Sequence, residues 1–286
     1  MPFCRGASPC GARIFYSTSG SSSASHRVVF VMGLGGDHGQ WEPQTNFFKT
    51  RADTQCVVLD NRGIGFSDPV GGRWTTRDMA KDVLCVLDHL GWHQHVHIVG
   101  LSMGGMISQE LALLGPLHRF ASLTLISTIA GGLRSLGYFA LSLPTGIRTL
   151  ASTFLSSSPS AQLDGGLRLL YPAPFLERDG AAKVNAKTGA TEVQPNYAIF
   201  RRALIARGRQ SRAAGMKPPG AGTLAKQALA VATHSVSAAD LRRIGEHFGD
   251  AVVVLTGDAD ILVHAGNAAV LAGGITVRAQ RRAQSE

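Results

Sequence analysis

One five-residue stretch carries the clearest chemistry. Gly100-Leu101-Ser102-Met103-Gly104 is the only G-x-S-x-G in the chain. A serine hydroxyl is a weak nucleophile and must be activated by a base beside it. That base needs a carboxylate to orient its ring and to stabilise its charged form. The oxyanion formed on attack needs preorganised N–H donors, each worth about 3–4 kcal/mol of barrier. The pattern gains weight from its flanks. The apolar run Val96–Val99 precedes it and the helix-forming run Met103–Leu114 follows, so the serine falls on a strand-to-helix turn, as a nucleophile elbow requires. Small flanking residues allow close approach, and the turn strains the backbone and lifts the hydroxyl above the sheet. The Met103 N–H, at the start of the helix, is placed to meet negative charge.

The elements that must hold this turn are legible around it. Val28–Met32, Cys56–Leu59, Val96–Val99 and Leu123–Ile126 are short apolar runs, β-branched in part and bounded by turn residues, as buried parallel strands are. Met79, Val83, Val86, Leu87 and Leu90 recur at helical spacing, with Thr75 and Asp78 as the N-terminal cap and Gly91 as the stop. The order β-α-β-α predicts a mostly parallel sheet with helices on both faces. From about Gly131 to His234 this rhythm lapses into a segment rich in Ser, Gly, Pro, Arg and Ala, which reads as a mostly helical lid. Strand character returns at Ala251–Thr256 and a helix follows near Ala265–Ala272. The expected organisation is therefore core 1–131, lid insertion 132–235 and core 236–286.

On these residues the chain resembles the α/β-hydrolase superfamily, in its serine esterase and lipase-like branch, from about Ala12 to Ile275. Val31-Met32-Gly33-Leu34-Gly35-Gly36 is similar to the family's oxyanion loop, with Met32 where a His is usual. The resemblance makes Leu34 the residue whose backbone N–H joins that of Met103 in the oxyanion hole. Asp60-Asn61-Arg62-Gly63-Ile64-Gly65-Phe66-Ser67 is similar to the family's Asp-x-Arg-Gly-x-Gly-x-Ser loop. Leu255 to Val263 is similar to its acid-bearing strand end, which implies Asp260 as the triad acid with Asp258 its neighbour. The family's base follows the acid after a further strand, often behind a Gly. Here His264, four residues on, is the one histidine after Asp260, and the basic tail from Thr276 lacks a Gly-His pair. The expectation is a fold incomplete or divergent at its C-terminal end, and a chain that turns over poorly. Among the other histidines, His38 is expected near the pocket mouth and is the next candidate base. His93, His95 and His97 read as a polar strand entry rather than a metal site, and His234 and His247 as surface or packing residues.

The function implied is hydrolysis of carboxylic esters or lipid-like acyl substrates through an acyl-enzyme on Ser102, with no cofactor and no metal. The alternative is a degenerate hydrolase-fold protein that binds a hydrophobic ligand without turnover. A serine nucleophile argues against dehalogenase and epoxide hydrolase chemistry. A dinucleotide fold fails because His38 stands where the third glycine of G-x-G-x-x-G belongs. The net charge of +9 is uneven, with 12 Lys/Arg against 4 Asp/Glu in residues 131–220. Arg201, Arg202, Arg207, Arg209, Arg212 and Lys217 form its densest run. This predicts a basic lid face able to meet an anionic membrane surface, with no nucleic-acid motif beside it. The lid's apolar residues between Leu133 and Leu155 predict a hydrophobic acyl group. Four cysteines without framework spacing fit a reducing compartment, so the cytoplasm is expected. The acid-free, Ser-rich first 36 residues leave mitochondrial targeting as the other reading. No uncharged apolar run is as long as a spanning helix.

Overall fold

The computed structural model describes residues 3–5, 11–132, 158–181, 183–184 and 191–275. In chain order its elements are β1 (Phe3–Arg5), β2 (Arg13–Gly20), β3 (His26–Val31), α1 (Glu42–Lys49), β4 (Thr54–Leu59), α2 (Thr76–His89), β5 (Val96–Leu101), α3 (Met103–Leu114) and β6 (Phe120–Ile126). After these come α4 (Pro159–Leu170), α5 (Ala173–Glu177), β7 (Lys183–Val184), β8 (Thr191–Glu192) and α6 (Asn196–Ala213). The chain closes with α7 (Ala221–Ala232), α8 (Ala238–Phe248), β9 (Val252–Leu255) and α9 (Gly266–Ile275). It divides into two compact units, one of residues 1–137, 217–256 and 265–286, the other of 138–216 and 257–264.

The first unit is built on a seven-stranded sheet in the order β1-β2-β4-β3-β5-β6-β9. β1 and β2 run antiparallel to their neighbours, and every pairing from β4 to β9 is parallel. This is the mostly parallel α/β architecture that the sequence predicts. Alternate residues of each strand supply two separate cores, because successive side chains leave opposite faces. Val29, Val31, Val57, Leu59, Ile98, Leu123 and Leu125 pack on one side with Met79 and Val83 of α2, Ile107 and Leu111 of α3, Leu241 of α8 and Leu271 of α9. Val28, Phe30, Met32, Cys56 and Val58 face the other side, where Trp41 and Phe48 cover them. α2 starts where its cap predicts, with the Thr75 hydroxyl accepting the Asp78 N–H at 3.1 Å.

Among the described residues β9 pairs only with β6, and its Val253 and Leu255 stand 36% and 49% exposed. The basic tail from Thr276 and the apolar stretch Leu133–Leu155 lie outside the described residues.

The expected insertion 132–235 falls partly in each unit. α7 groups with the sheet: Ala230 is buried in its core, Lys226 Nζ donates to the Val70 carbonyl at 2.8 Å, and the same ammonium lies 5.0 Å from the Trp74 ring centroid. The chain leaves and re-enters the first unit side by side, with Val236 N–H bonded to Ala130 O at 2.8 Å and Gly132 N–H to His234 O at 3.2 Å. The second unit is mostly helical, with a two-stranded β7–β8 ladder. Leu167 and Leu176 are buried there, and Tyr171, Phe175 and Phe200 form a ring cluster with centroids 5.0–5.7 Å apart. Part of the basic run is already engaged: Arg201 bonds Asp164 and Ser160, both at 2.7 Å, and Arg202 bonds Gln194 at 3.0 Å. Among the described residues no helix is long and apolar enough to cross a membrane.

Candidate active site

Ser102 occupies the joint between β5 and α3 with φ 54° and ψ −120°, a conformation that L-residues avoid. The surroundings hold it there. Its N–H bonds the Ile126 carbonyl at 2.8 Å, and its carbonyl accepts the Thr128 hydroxyl at 2.7 Å and the Gly105 N–H at 2.9 Å. The first turn of α3 lies hard against the end of β3. A Cβ on Gly104 would sit 2.0 Å from the Val31 carbonyl oxygen, so glycine is required for this approach. Met103 is the first residue of α3, and its N–H has no acceptor in the helix's own ladder.

Beyond β3 the chain turns through Gly33-Leu34-Gly35-Gly36, closed by a Gly36 N–H to Gly33 O bond of 3.3 Å. Gly35 has φ +71°, which the third position of a type II turn demands. The turn abuts Ser102: a Cβ on Gly33 would lie 3.2 Å from Ser102 Cβ and 3.7 Å from its Oγ. Gly35 N–H is bonded to Gln227 Oε1 at 2.9 Å. The Leu34 N–H has no partner among the described residues. Ser102, Leu34 and Met103 are thus brought together in the first unit, with two unspent backbone donors beside a strained serine. Met32, in place of the usual His, is 4% exposed and packs in the second core, while its carbonyl accepts Asn61 Nδ2 at 2.8 Å.

The Asp60–Ser67 loop is organised around a fully buried carboxylate. Asp60 Oδ1 accepts the His38 N–H and meets His38 Nδ1, both at 2.8 Å, and Oδ2 accepts the Phe66 N–H at 3.0 Å. Ser67 Oγ donates to the Asp60 carbonyl at 2.6 Å, and Arg62 is buried in an ion pair with Asp82 at 2.7 Å. The motif therefore ties the ends of β3 and β4 to α2. His38 forms a histidine–carboxylate pair with Asp60, packed against the Phe15 ring at a centroid distance of 4.7 Å.

Asp260 lies in the 257–264 segment of the second unit. It is half-buried, and its Oδ1 accepts the N–H groups of Leu262 at 2.9 Å and Val263 at 2.8 Å. Asp258 is exposed and His264 half-buried. Among the described residues Ser102 Oγ has no hydrogen-bond partner.

The other histidines divide by depth. His93 and His95 are exposed. His97 meets His26 at 3.3 Å and the Ser122 hydroxyl at 2.8 Å, and burial lowers its pKa below the usual imidazole range. His26 was not foreshadowed by the alternating His93-His95-His97 pattern, because it comes from the neighbouring strand β3. Among the described residues no group of three or more His, Cys, Asp or Glu is placed to hold a metal ion. His234 is a packing residue, 3% exposed with Nδ1 2.9 Å from the Thr76 hydroxyl, and burial depresses its pKa to about 4.

Sheet order, the strained Ser102 turn and the glycine turn beside it define a class, and comparison with known proteins agrees: residues 26–275 match the alpha/beta hydrolase fold family, and the chain belongs to it. Among its relatives is a protein named as a putative carbamate hydrolase RutD from Azorhizobium caulinodans, 31% identical over 176 residues, which are 62% of this chain and 60% of that one. A 3-oxoadipate enol-lactonase 1 from Acinetobacter baylyi is 36% identical over 103 residues, 36% of this chain and 37% of the other. The chain thus spans about 60% and 37% of the length of these curated relatives. A solved hydrolase structure from Pseudomonas aeruginosa PA01 superposes with a TM-score of 0.65 at 23% identity, covering 96% of this chain and 86% of that one. That likeness is one of fold.

Proposed function

We propose that the protein is a serine hydrolase that cleaves carboxylic ester or lipid-like acyl substrates through an acyl-enzyme on Ser102. The observation that carries this reading is the pair of unspent N–H groups, Leu34 and Met103, flanking a serine held at positive φ. In the first step Ser102 Oγ attacks the acyl carbon while its proton passes to a base, and the oxyanion settles between the two N–H donors. Collapse expels the alcohol, protonated by the same base, and water repeats the sequence on the acyl-enzyme. Asp260 serves as the acid that orients the base. The relatives named as a carbamate hydrolase and an enol-lactonase bear, by their names, on acyl carbons of this kind.

Labelling with a fluorophosphonate probe and hydrolysis of a short-chain p-nitrophenyl ester test the proposal, wild type against Ser102→Ala. Labelling of the wild type that vanishes in Ser102→Ala is the expected result. An unlabelled wild type overturns it. In the same assay, His264→Ala and His38→Gln identify the base as the histidine whose loss removes turnover. The second reading, a hydrophobic-ligand binder without turnover, is favoured by Ser102 Oγ having no histidine partner among the described residues. It is the reading left standing if the serine does not label.

A further inference from the structure

The oxyanion turn is three-quarters glycine and cannot hold its own shape. A turn of four residues whose middle peptide is flanked by a glycine can exchange between type II and type I by rotating that peptide, since glycine tolerates φ of either sign. Here the middle peptide joins Leu34 to Gly35, and its N–H belongs to Gly35. That N–H is the one bonded to Gln227 Oε1, at 2.9 Å. Among the described residues it is the one side-chain hydrogen bond made to the backbone of residues 33–36.

Gln227 is built for the task. It is 0% exposed, on α7, and its neighbours press the same helix onto the site loops. Leu224 lies against Gly35, with a Cβ on that glycine 3.2 Å from Leu224 Cδ2. Thr223 stands where a Cβ on Gly63 would be 2.9 Å from its hydroxyl, and Lys226 is tied to Val70. Gln227 Nε2, by contrast, is buried without a hydrogen-bond partner. An unsatisfied buried amide destabilises a fold. A residue chosen for stability alone would be apolar here. What the glutamine provides is the acceptor for Gly35.

We propose that Gln227 is a positioning residue of the oxyanion hole: by accepting the Gly35 N–H its carbonyl pins the glycine-rich turn at that residue, which restrains the adjoining Gly33–Leu34 peptide and keeps its Leu34 N–H aimed at the tetrahedral oxyanion. This rests on the serine-hydrolase reading above for its catalytic part, and on the hydrogen bond alone for its structural part. Because donors act through preorganisation, a turn released from its anchor, with glycine on either side of Leu34, loses rate in proportion to the time its Leu34 N–H spends misplaced.

The test compares wild type, Gln227→Met and Gln227→Glu. Met keeps length and volume without an acceptor, whereas Glu keeps the acceptor whether ionised or protonated. Three readouts are taken: amide exchange of Gly35, the second-order rate of Ser102 labelling by a fluorophosphonate, and kcat and KM on a p-nitrophenyl ester. In Gln227→Met, Gly35 exchange should rise at least about tenfold, and labelling and kcat should fall about 10–100-fold with KM within about twofold. Thermal unfolding should move little, since one orphaned donor replaces another. Gln227→Glu should restore both exchange protection and labelling to within a few-fold of wild type. Unchanged Gly35 exchange in Gln227→Met overturns the lock. Accelerated exchange with labelling and kcat unchanged overturns the catalytic role. A wild type that never labels overturns the serine-hydrolase reading and the catalytic role with it, while Gly35 exchange still decides the lock.

Discussion

The segment around Ser102, the proposed nucleophile, and the segment around Asp260, the proposed acid, are built to opposite standards. Ser102 follows β5, a central strand paired on both sides, and its own N–H and carbonyl are both bonded, to Ile126 and to Thr128 and Gly105. Asp260 follows β9, an edge strand among the described residues with an exposed Leu255, and the turn after it leaves Thr256 to Ala259 exposed. At the elbow, burial and close approach dictate almost every residue. At the loop after β9, the carboxylate oxygen of Asp260 organises its own turn by accepting two N–H groups, and most of the loop is exposed. The proposed reaction needs both segments, so the more exposed one decides whether the other works.

The sharpest way to break this comparison is Asp260→Asn. The amide oxygen can keep both N–H bonds from Leu262 and Val263, so the loop stays formed while its charge disappears. If Asp260 orients the base, hydrolysis should fall on the order of 10³–10⁴-fold with the unfolding midpoint unchanged. A loss under about threefold would separate Asp260 from the chemistry and leave the elbow acting without it.

Glycine substitutions sharpen the structural half. Gly104→Ala drives a methyl to within 2.0 Å of a backbone carbonyl that cannot swing away. Urea unfolding should show a loss of about 3 kcal/mol or more. Gly257→Ala places its Cβ no nearer than 3.9 Å to any heavy atom, an ordinary contact, and should stay within about 0.5 kcal/mol. Equal costs at the two sites would mean that the elbow is no tighter than the acid loop.

Acid stability probes the joint where the chain re-enters the first unit. His234 is buried as the neutral imidazole, with its pKa depressed to about 4 from an ordinary value of 6.5. The unfolded chain takes up a proton as pH falls through 6.5, whereas the native state resists until about 4. Stability is therefore full above the ordinary value and declines as pH drops through this window, by up to about 3 kcal/mol. Urea titrations at pH 7 and pH 4 should show that decline in the wild type and much less of it in His234→Gln. The same decline in both would remove His234 as its source.

What could be read in advance follows from range. The elbow, the strands and α2 were legible because the patterns that specify them are local: a five-residue turn, runs of alternating or continuous apolar residues, a Thr75 cap three residues before the Asp78 N–H it accepts. The Gly33–Gly36 turn was recognisable from its glycines, and the structure sets it against Ser102. Gln227 was not recognisable, because its partner Gly35 is 192 residues away and a lone glutamine in an Ala-rich helix carries no local signal. The His38–Asp60 pair and the His26–His97 pair were hidden for the same reason, each joining different strands or loops. The basic run was visible as charge, but its composition did not reveal that Arg201 is matched by Asp164, 37 residues earlier.

The smallest expected effect tests the edge itself. Val253 and Leu255 lie two residues apart on β9, so their side chains share one face of the sheet, and both are substantially exposed. Replacing both with Thr keeps the β-branched fit to a strand and removes apolar surface that burial does not fully reward. Unfolding free energy should change by no more than about 0.5 kcal/mol. Ile98→Thr on central β5, fully buried, should cost about 2–3 kcal/mol, since it places a hydroxyl in an apolar core. The edge variant should still be visible by another measure. Unpaired strand edges with apolar side chains template pairing between chains, so light scattering of concentrated protein should rise more slowly in Val253→Thr/Leu255→Thr than in wild type. A stability loss near that of Ile98→Thr would show that β9 is covered as fully as β5. The Asp260 segment would then follow from a strand as firmly held as the one that leads to Ser102.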